Sequence, residues 1–208
     1  MDNAVALVQA YLRVNGYFTV AEYPVLEVSA RKQVRTVTDL DILAIRLAHE
    51  PADDGHTPDP ALGAIPGTAD MIVGEVKEGS PKFNRAMRDP EVLIAAFTRF
   101  GCCPPDAAGD LVDELLRRGS VVAPAGHVIR TVAFGNPGHS AAGAHRHVVP
   151  LDHIASYLQE HLRTHWNVVG RTQVKDGVLG LLLLLEKSRR AAQNRGAATS
   201  VGAERSSR

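Results

Sequence analysis

The segment Asp70-Met71-Ile72-Val73-Gly74-Glu75-Val76-Lys77 constrains the fold of this chain more than any other. Its apolar residues fall on both parities, so a strand built from it needs cover on both faces, and the run is too short for a buried helix. It predicts a central strand. Residues two apart in a strand share a face, so Glu75 and Lys77 project side by side. Burying a carboxylate and an ammonium is costly unless they pair with each other, face a cleft or hold a metal ion. Both charges in so apolar a strand call for a reason.

Asp41 raises the same question one strand earlier. Val34 to Leu47 has β character through Thr36, Val37, Thr38, Ile42, Leu43 and Ile45, with apolar residues on both parities around Asp41. Pairing of these two strands as a hairpin brings Asp41 and Glu75 to one place. Two carboxylates there repel, and a hard divalent cation resolves the repulsion. Mg²⁺ takes a few carboxylate oxygens, keeps several waters and accepts phosphate oxygens. In phosphodiester hydrolysis such an ion polarises the phosphoryl group, activates water and neutralises the leaving oxygen. A neighbouring lysine can orient or deprotonate the water, or stabilise developing charge. The plainer alternative is an edge-strand ion pair, since edge strands commonly carry lysine.

The rest of the chain supplies an α/β frame. Val5, Val8, Tyr11 and Leu12 recur at helical spacing over residues 4–14, with Asn15-Gly16 as the stop. Tyr17 to Val28 predicts a first strand, interrupted near Pro24. Residues 89–100 and 106–118 predict two helices, 127–134 and 147–151 two further strands. Asp152 is the expected N-cap of a helix to about Thr164, and Asp176-Gly177 opens a last helix to about Ala192. The expectation is one central mixed sheet of about five strands flanked by helices. A Pro/Gly-rich stretch, residues 48–69, is expected as a surface insertion in a single domain over 1–192, followed by a disordered basic tail, 193–208.

The order of these elements, with an Asp, an apolar strand, then Glu-x-Lys closing another apolar strand and a helix after it, resembles the PD-(D/E)xK superfamily of nucleases. The likeness spans roughly residues 4–100 and implies a restriction-endonuclease-like fold. It implies Asp41 and Glu75 as ligands of Mg²⁺ or Mn²⁺, the Val76 backbone carbonyl as a third ligand, and Lys77 as the catalytic lysine. It implies a nucleic-acid substrate, DNA foremost, and a homodimer is one way for such a domain to address both strands. Many relatives carry another acid on the first helix; here that helix has none beyond Asp2, leaving Glu22 or Glu27 on the first strand as substitutes. Members of such folds can also lose catalysis and remain nucleic-acid-binding or assembly modules, which is the alternative reading.

Other signals are weaker. Lys82, Arg85 and Arg88 recur every three residues after Lys77 and on a helix would form a basic stripe suited to phosphates, or an ordinary solvated face. Arg31, Lys32 and Arg35 lie at a turn, where basic residues serve solubility. His139, His145 and His147 match no zinc spacing. Cys102 and Cys103 are adjacent, which makes neither a structural disulfide nor a Cys/His metal motif and suits a reducing cytoplasm. The run Leu181–Leu185 is far shorter than the roughly 20 residues a membrane span needs, so a soluble cytoplasmic protein is expected. Formal charge is zero, yet Glu186–Arg208 holds six Lys/Arg against two Glu, so the C-terminal end is basic and the remainder acidic.

Overall fold

Asp2 starts the first helix by accepting the Ala4 amide through its side chain at 2.8 Å, a cap that satisfies one of the orphan N–H groups of the first turn. In the computed structural model the elements then follow as α1 (Asn3–Val14), β1 (Phe18–Val28), β2 (Val34–Arg46), β3 (Asp70–Val76), α2 (Pro90–Phe100), α3 (Ala108–Arg118), β4 (Ser120–Val122), β5 (Val128–Phe134), β6 (His147–Val149), α4 (Leu151–Thr164), α5 (Trp166–Val169) and α6 (Gly177–Arg205). The structure describes residues 2–28, 34–48, 57–136 and 147–205, with the side chains of 26–28, 34–37 and 196–205 outside that description. Two compact units result, Met1–Ala155 and Ser156–Arg208.

The sheet belongs to the first unit and is mixed, as expected. Its order is β1-β2-β3-β5-β4, with β6 also on β5. β1 and β2 are antiparallel, β2 and β3 antiparallel, and β3 and β5 parallel. β4 and β6 share the far edge of β5, β4 along its first half and β6 along its last three residues. Every residue of β3 and β5 is buried, which places β3 centrally as its two-faced apolar pattern requires. Met71 and Val73 face a core shared with Leu93 and Phe97 of α2 and Val112 and Leu115 of α3. α1 lies along β1, β2 and β3 and buries Val8, Tyr11 and Leu12.

Gly74 has a steric reason. A Cβ there would stand 2.8 Å from Phe134 Cε2 and 3.2 Å from Ile42 Cβ, so the Phe134 ring occupies the volume a side chain would need. The contact binds β3 to both its neighbours beside Glu75.

Several sequence expectations are corrected. β1 continues through Pro24; its irregularities are Glu22, at φ 51°, and a register shift between Val25 and Leu26. β4 and α5, of three and four residues, are too short to leave a periodic signal. The cap of α4 comes from Asn136, whose Oδ1 accepts the Leu151 and Asp152 amides at 3.1 and 3.3 Å; the Asp152 side chain accepts the amide of its neighbour His153. No long helix carries Lys82, Arg85 and Arg88: a three-residue 3-10 turn covers Ala86–Arg88. α6 keeps helical backbone to Arg205, beyond residue 192.

The insertion is more than a surface excursion. Residues 49–56 lie outside the described set, but Asp59 and Leu62 are buried. A 3-10 turn at Pro60–Leu62 is capped by Asp59, whose Oδ1 accepts the Ala61 amide at 2.9 Å. Asp59 Oδ2 also receives the Tyr11 hydroxyl at 2.8 Å and stands 2.6 Å from His153 Nε2. Amide, hydroxyl and imidazole together hold its carboxyl below the usual range, against the opposing effect of burial. His147 reaches the same segment through Nε2, 2.7 Å from the Ala61 carbonyl. Among the described residues, no helix is long and apolar enough to cross a membrane.

Candidate active site at the β2/β3 fork

β2 and β3 pair from Arg46↔Asp70 to Ile42↔Gly74 and then part. Continuing that register by one residue sets Asp41 opposite Glu75. Lys77 donates its amide to the Phe134 carbonyl of β5 at 2.9 Å, so the Val76 amide points the other way, toward β2. There it meets Asp41 Oδ2 at 2.8 Å. The Asp41 side chain thus takes the place of a backbone acceptor where the ladder ends. The Val76 carbonyl lies on the same edge of the strand as its amide and faces the same gap.

Lys77 completes the cluster. Its Nζ lies 2.5 Å from Glu75 Oε1 and 3.6 Å from Asp41 Oδ2, so the two carboxylates are no further apart than those distances laid end to end. The three groups differ sharply in exposure: the side chains of Glu75, Asp41 and Lys77 are 0%, 21% and 43% exposed. A buried acid, a half-buried acid and a cation reaching the surface line a short path from core to solvent. Sequence parity brought Glu75 and Lys77 together, and the hairpin pairing brings Asp41 to them.

Glu75 is the anomalous member. Both its oxygens are buried without a well-aligned hydrogen bond from the described protein, although the Lys77 ammonium stands beside one of them. Burial raises its carboxyl above the usual range and the charge of Asp41 adds to this, while Lys77 and the Asn84 amide offset part of it. Burial would draw Lys77 down, but its bond to Glu75 and the charges of Glu75 and Asp41 outweigh that and hold the ammonium protonated. A buried carboxylate with unused lone pairs beside a second carboxylate is a donor set for a hard cation. Two carboxylates and a carbonyl, all oxygen, fit an ion that keeps several waters.

The remaining expected residues are distributed as follows. Glu22 lies across from Asp41, between the pairs Ala21↔Ile42 and Tyr23↔Leu40. It is exposed, and its Oε1 accepts the Asp2 amide at 3.1 Å, at the start of α1. The Glu27 side chain lies outside the described residues, as do Arg31, Lys32, the Arg35 side chain, His139 and His145. Lys82, Arg85 and Arg88 are exposed, on the segment following Lys77. Among the described residues, no group of three or more His, Cys, Asp or Glu side chains is arranged to hold a metal ion.

Sequence reasoning missed a second charged cluster at the opposite end of β3. Arg130 on β5 donates Nε to Asp70 Oδ1 and a terminal nitrogen to Asp70 Oδ2, both at 2.7 Å, and its other nitrogen to the Leu62 carbonyl at 2.7 Å. The Tyr17 hydroxyl donates to the same Asp70 Oδ2 at 2.5 Å. Here, unlike at Glu75, the buried carboxylate is fully engaged. The cluster is closed, and it ties the insertion, β3, β5 and the start of β1 together. Arg130, the lone charge in the apolar run of β5, was the available signal. No family model, curated protein or solved structure matches this chain.

Proposed function

We propose that this chain is a divalent-metal-dependent nuclease of restriction-endonuclease-like fold, cleaving phosphodiester bonds in DNA. The observation that carries the reading is the pairing of Asp41, at the parting of two strands, with the buried, under-bonded Glu75 beside it. Asp41 and Glu75 would hold Mg²⁺ or Mn²⁺, with the Val76 carbonyl as a further oxygen. When bound, such an ion supplies polarisation of the phosphoryl group and an activated water.

The chain's own groups support that chemistry in distinct ways. The central, fully buried β3 fixes Glu75, and the Val76 amide fixes Asp41. Lys77 reaches solvent and is held protonated, so it is suited to stabilising negative charge on a phosphate. Lys82, Arg85 and Arg88 offer exposed cations on the following segment for backbone phosphates.

The test is cleavage of supercoiled and linear DNA with Mg²⁺, Mn²⁺ or chelator, using the parent, Asp41→Asn and Lys77→Ala. Metal-dependent cleavage lost in both variants supports the proposal; cleavage that survives Asp41→Asn contradicts it. A second reading, a binding module without catalysis, is favoured by one observation: Lys77 already neutralises the acids without a metal. That reading expects salt-sensitive DNA association, unchanged by chelator and without cleavage.

A further inference from the structure

The Lys77 ammonium lies within ion-pair distance of both carboxylates at once. Its 2.5 Å distance from Glu75 Oε1 is within about 0.5 Å of the roughly 2.0–2.1 Å at which Mg²⁺ sits from an oxygen ligand. The same nitrogen also reaches Asp41 Oδ2 at 3.6 Å. An ammonium and a metal ion cannot both occupy that position, because their radii would overlap and their charges repel.

Resting on the metal-site reading above, we infer that Lys77 is a built-in counter-ion for Asp41 and Glu75, which must swing outward before a divalent ion can bind. The partial exposure of the side chain gives it a route. Without it, among the described residues the buried Glu75 would face Asp41 across the fork with the Asn84 and Val76 amides left to offset the charge. The lysine therefore stabilises the metal-free fold while competing with the metal. Loading the site and freeing the ammonium become one event, so the cation reaches the mouth of the site only once the acids are otherwise neutralised. This is linkage: whatever stabilises the ion pair weakens metal binding by the same amount.

Two measurements on the full chain test this. The first is calorimetric titration with Mn²⁺ of the parent, Lys77→Met, Lys77→Gln and Asp41→Asn, each checked for cooperative melting. The inference expects Mn²⁺ to bind the two Lys77 variants about two- to fivefold more tightly than the parent, the range open to a partly exposed ion pair. The second is acylation of Lys77 by an amine-directed reagent, followed by peptide mass analysis, with the exposed Lys82 as internal reference. Mn²⁺ should speed acylation of Lys77 and leave Lys82 unchanged. Mn²⁺ binding that Asp41→Asn abolishes, but that both Lys77 variants leave equal or weaker, would overturn the counter-ion role and leave the metal site standing. Unchanged Lys77 acylation at saturating Mn²⁺ would do the same. Absence of Mn²⁺ binding in the parent and in both Lys77 variants would overturn the metal site, and the counter-ion role with it.

Discussion

The Asp41 carboxylate accepts the Val76 amide hydrogen at 2.8 Å, so a side chain of one strand closes the hydrogen-bond ladder of the next. This contact gives Asp41 two tasks. One oxygen terminates the β2/β3 pairing, and the carboxylate as a whole faces Glu75 and Lys77. The first task is structural and separable from the second by choice of substitution.

Asp41→Asn keeps a carbonyl oxygen that can accept from Val76, whereas Asp41→Ala leaves that amide without its acceptor. We expect Asp41→Ala to destabilise the fold by about 1–3 kcal/mol, and Asp41→Asn to cost markedly less. Chemical denaturation measures the difference. Hydrogen exchange at Val76 should accelerate in Asp41→Ala and stay close to the parent in Asp41→Asn.

Glu75→Gln should stabilise the metal-free protein at neutral pH. The folded carboxyl is raised above its ordinary value. The stability it contributes is therefore fully present below the unfolded range, about pH 4.3, and is lost as pH rises through the folded value. At pH 7 the raised carboxyl therefore costs the fold stability relative to the unfolded chain, and a neutral isostere relieves it. The variant should melt higher than the parent at pH 7, with the gap narrowing toward pH 4. A lower melting temperature for Glu75→Gln at pH 7 would contradict the electrostatics described.

The Tyr17–Asp70 bond predicts an alkaline signature. Burial, then the charge of Asp70 and its hydrogen bond, raise the Tyr17 phenol well above its ordinary value. A raised folded value means stability present below about pH 10 and lost above it, by up to about 1.4 kcal/mol per pH unit. Tyr17→Phe should be less stable at pH 7 by about 1.5–3 kcal/mol, the worth of a hydrogen bond to a charged group. Above pH 10 the two proteins should converge, which urea denaturation across pH 7–11 would reveal.

Gly74→Ala should destabilise by about 1–3 kcal/mol through overpacking against Phe134. Phe134→Leu in the Gly74→Ala background should recover part of that loss, because it clears the atom the new methyl meets. Additive losses in the double variant would show that the two residues do not contact as described.

The features legible in the sequence were those set by strand periodicity. The two-faced apolar runs around Asp41 and Glu75 gave β2 and β3, and strand parity alone put Glu75 beside Lys77. The hairpin pairing then required Asp41 to meet Glu75, and the register agrees. What could not be read were partners fixed by non-local packing. Arg130 meets Asp70 across 60 residues, and His153 meets Asp59 across 94, distances over which no periodic pattern carries information. The in-plane role of Asp41 was likewise hidden, because it depends on where the ladder stops rather than on parity. Glu22 shows the same limit. The sequence offered Glu22 and Glu27 alike; the register that sets Glu22 across from Asp41, its φ of 51° and its bond to the Asp2 amide all come from the structure.

The central claim is that Asp41 and Glu75 share one divalent cation, and melting temperature against Mn²⁺ concentration tests it most directly. An ion that binds only the folded state stabilises it by about 2.7 kcal/mol at a hundred times its dissociation constant. The account predicts a rising, saturable melting temperature for the parent and no rise for Asp41→Asn, which keeps the acceptor for Val76 while losing the charge. A parent that shows no rise, or an Asp41→Asn variant that rises equally, would contradict it.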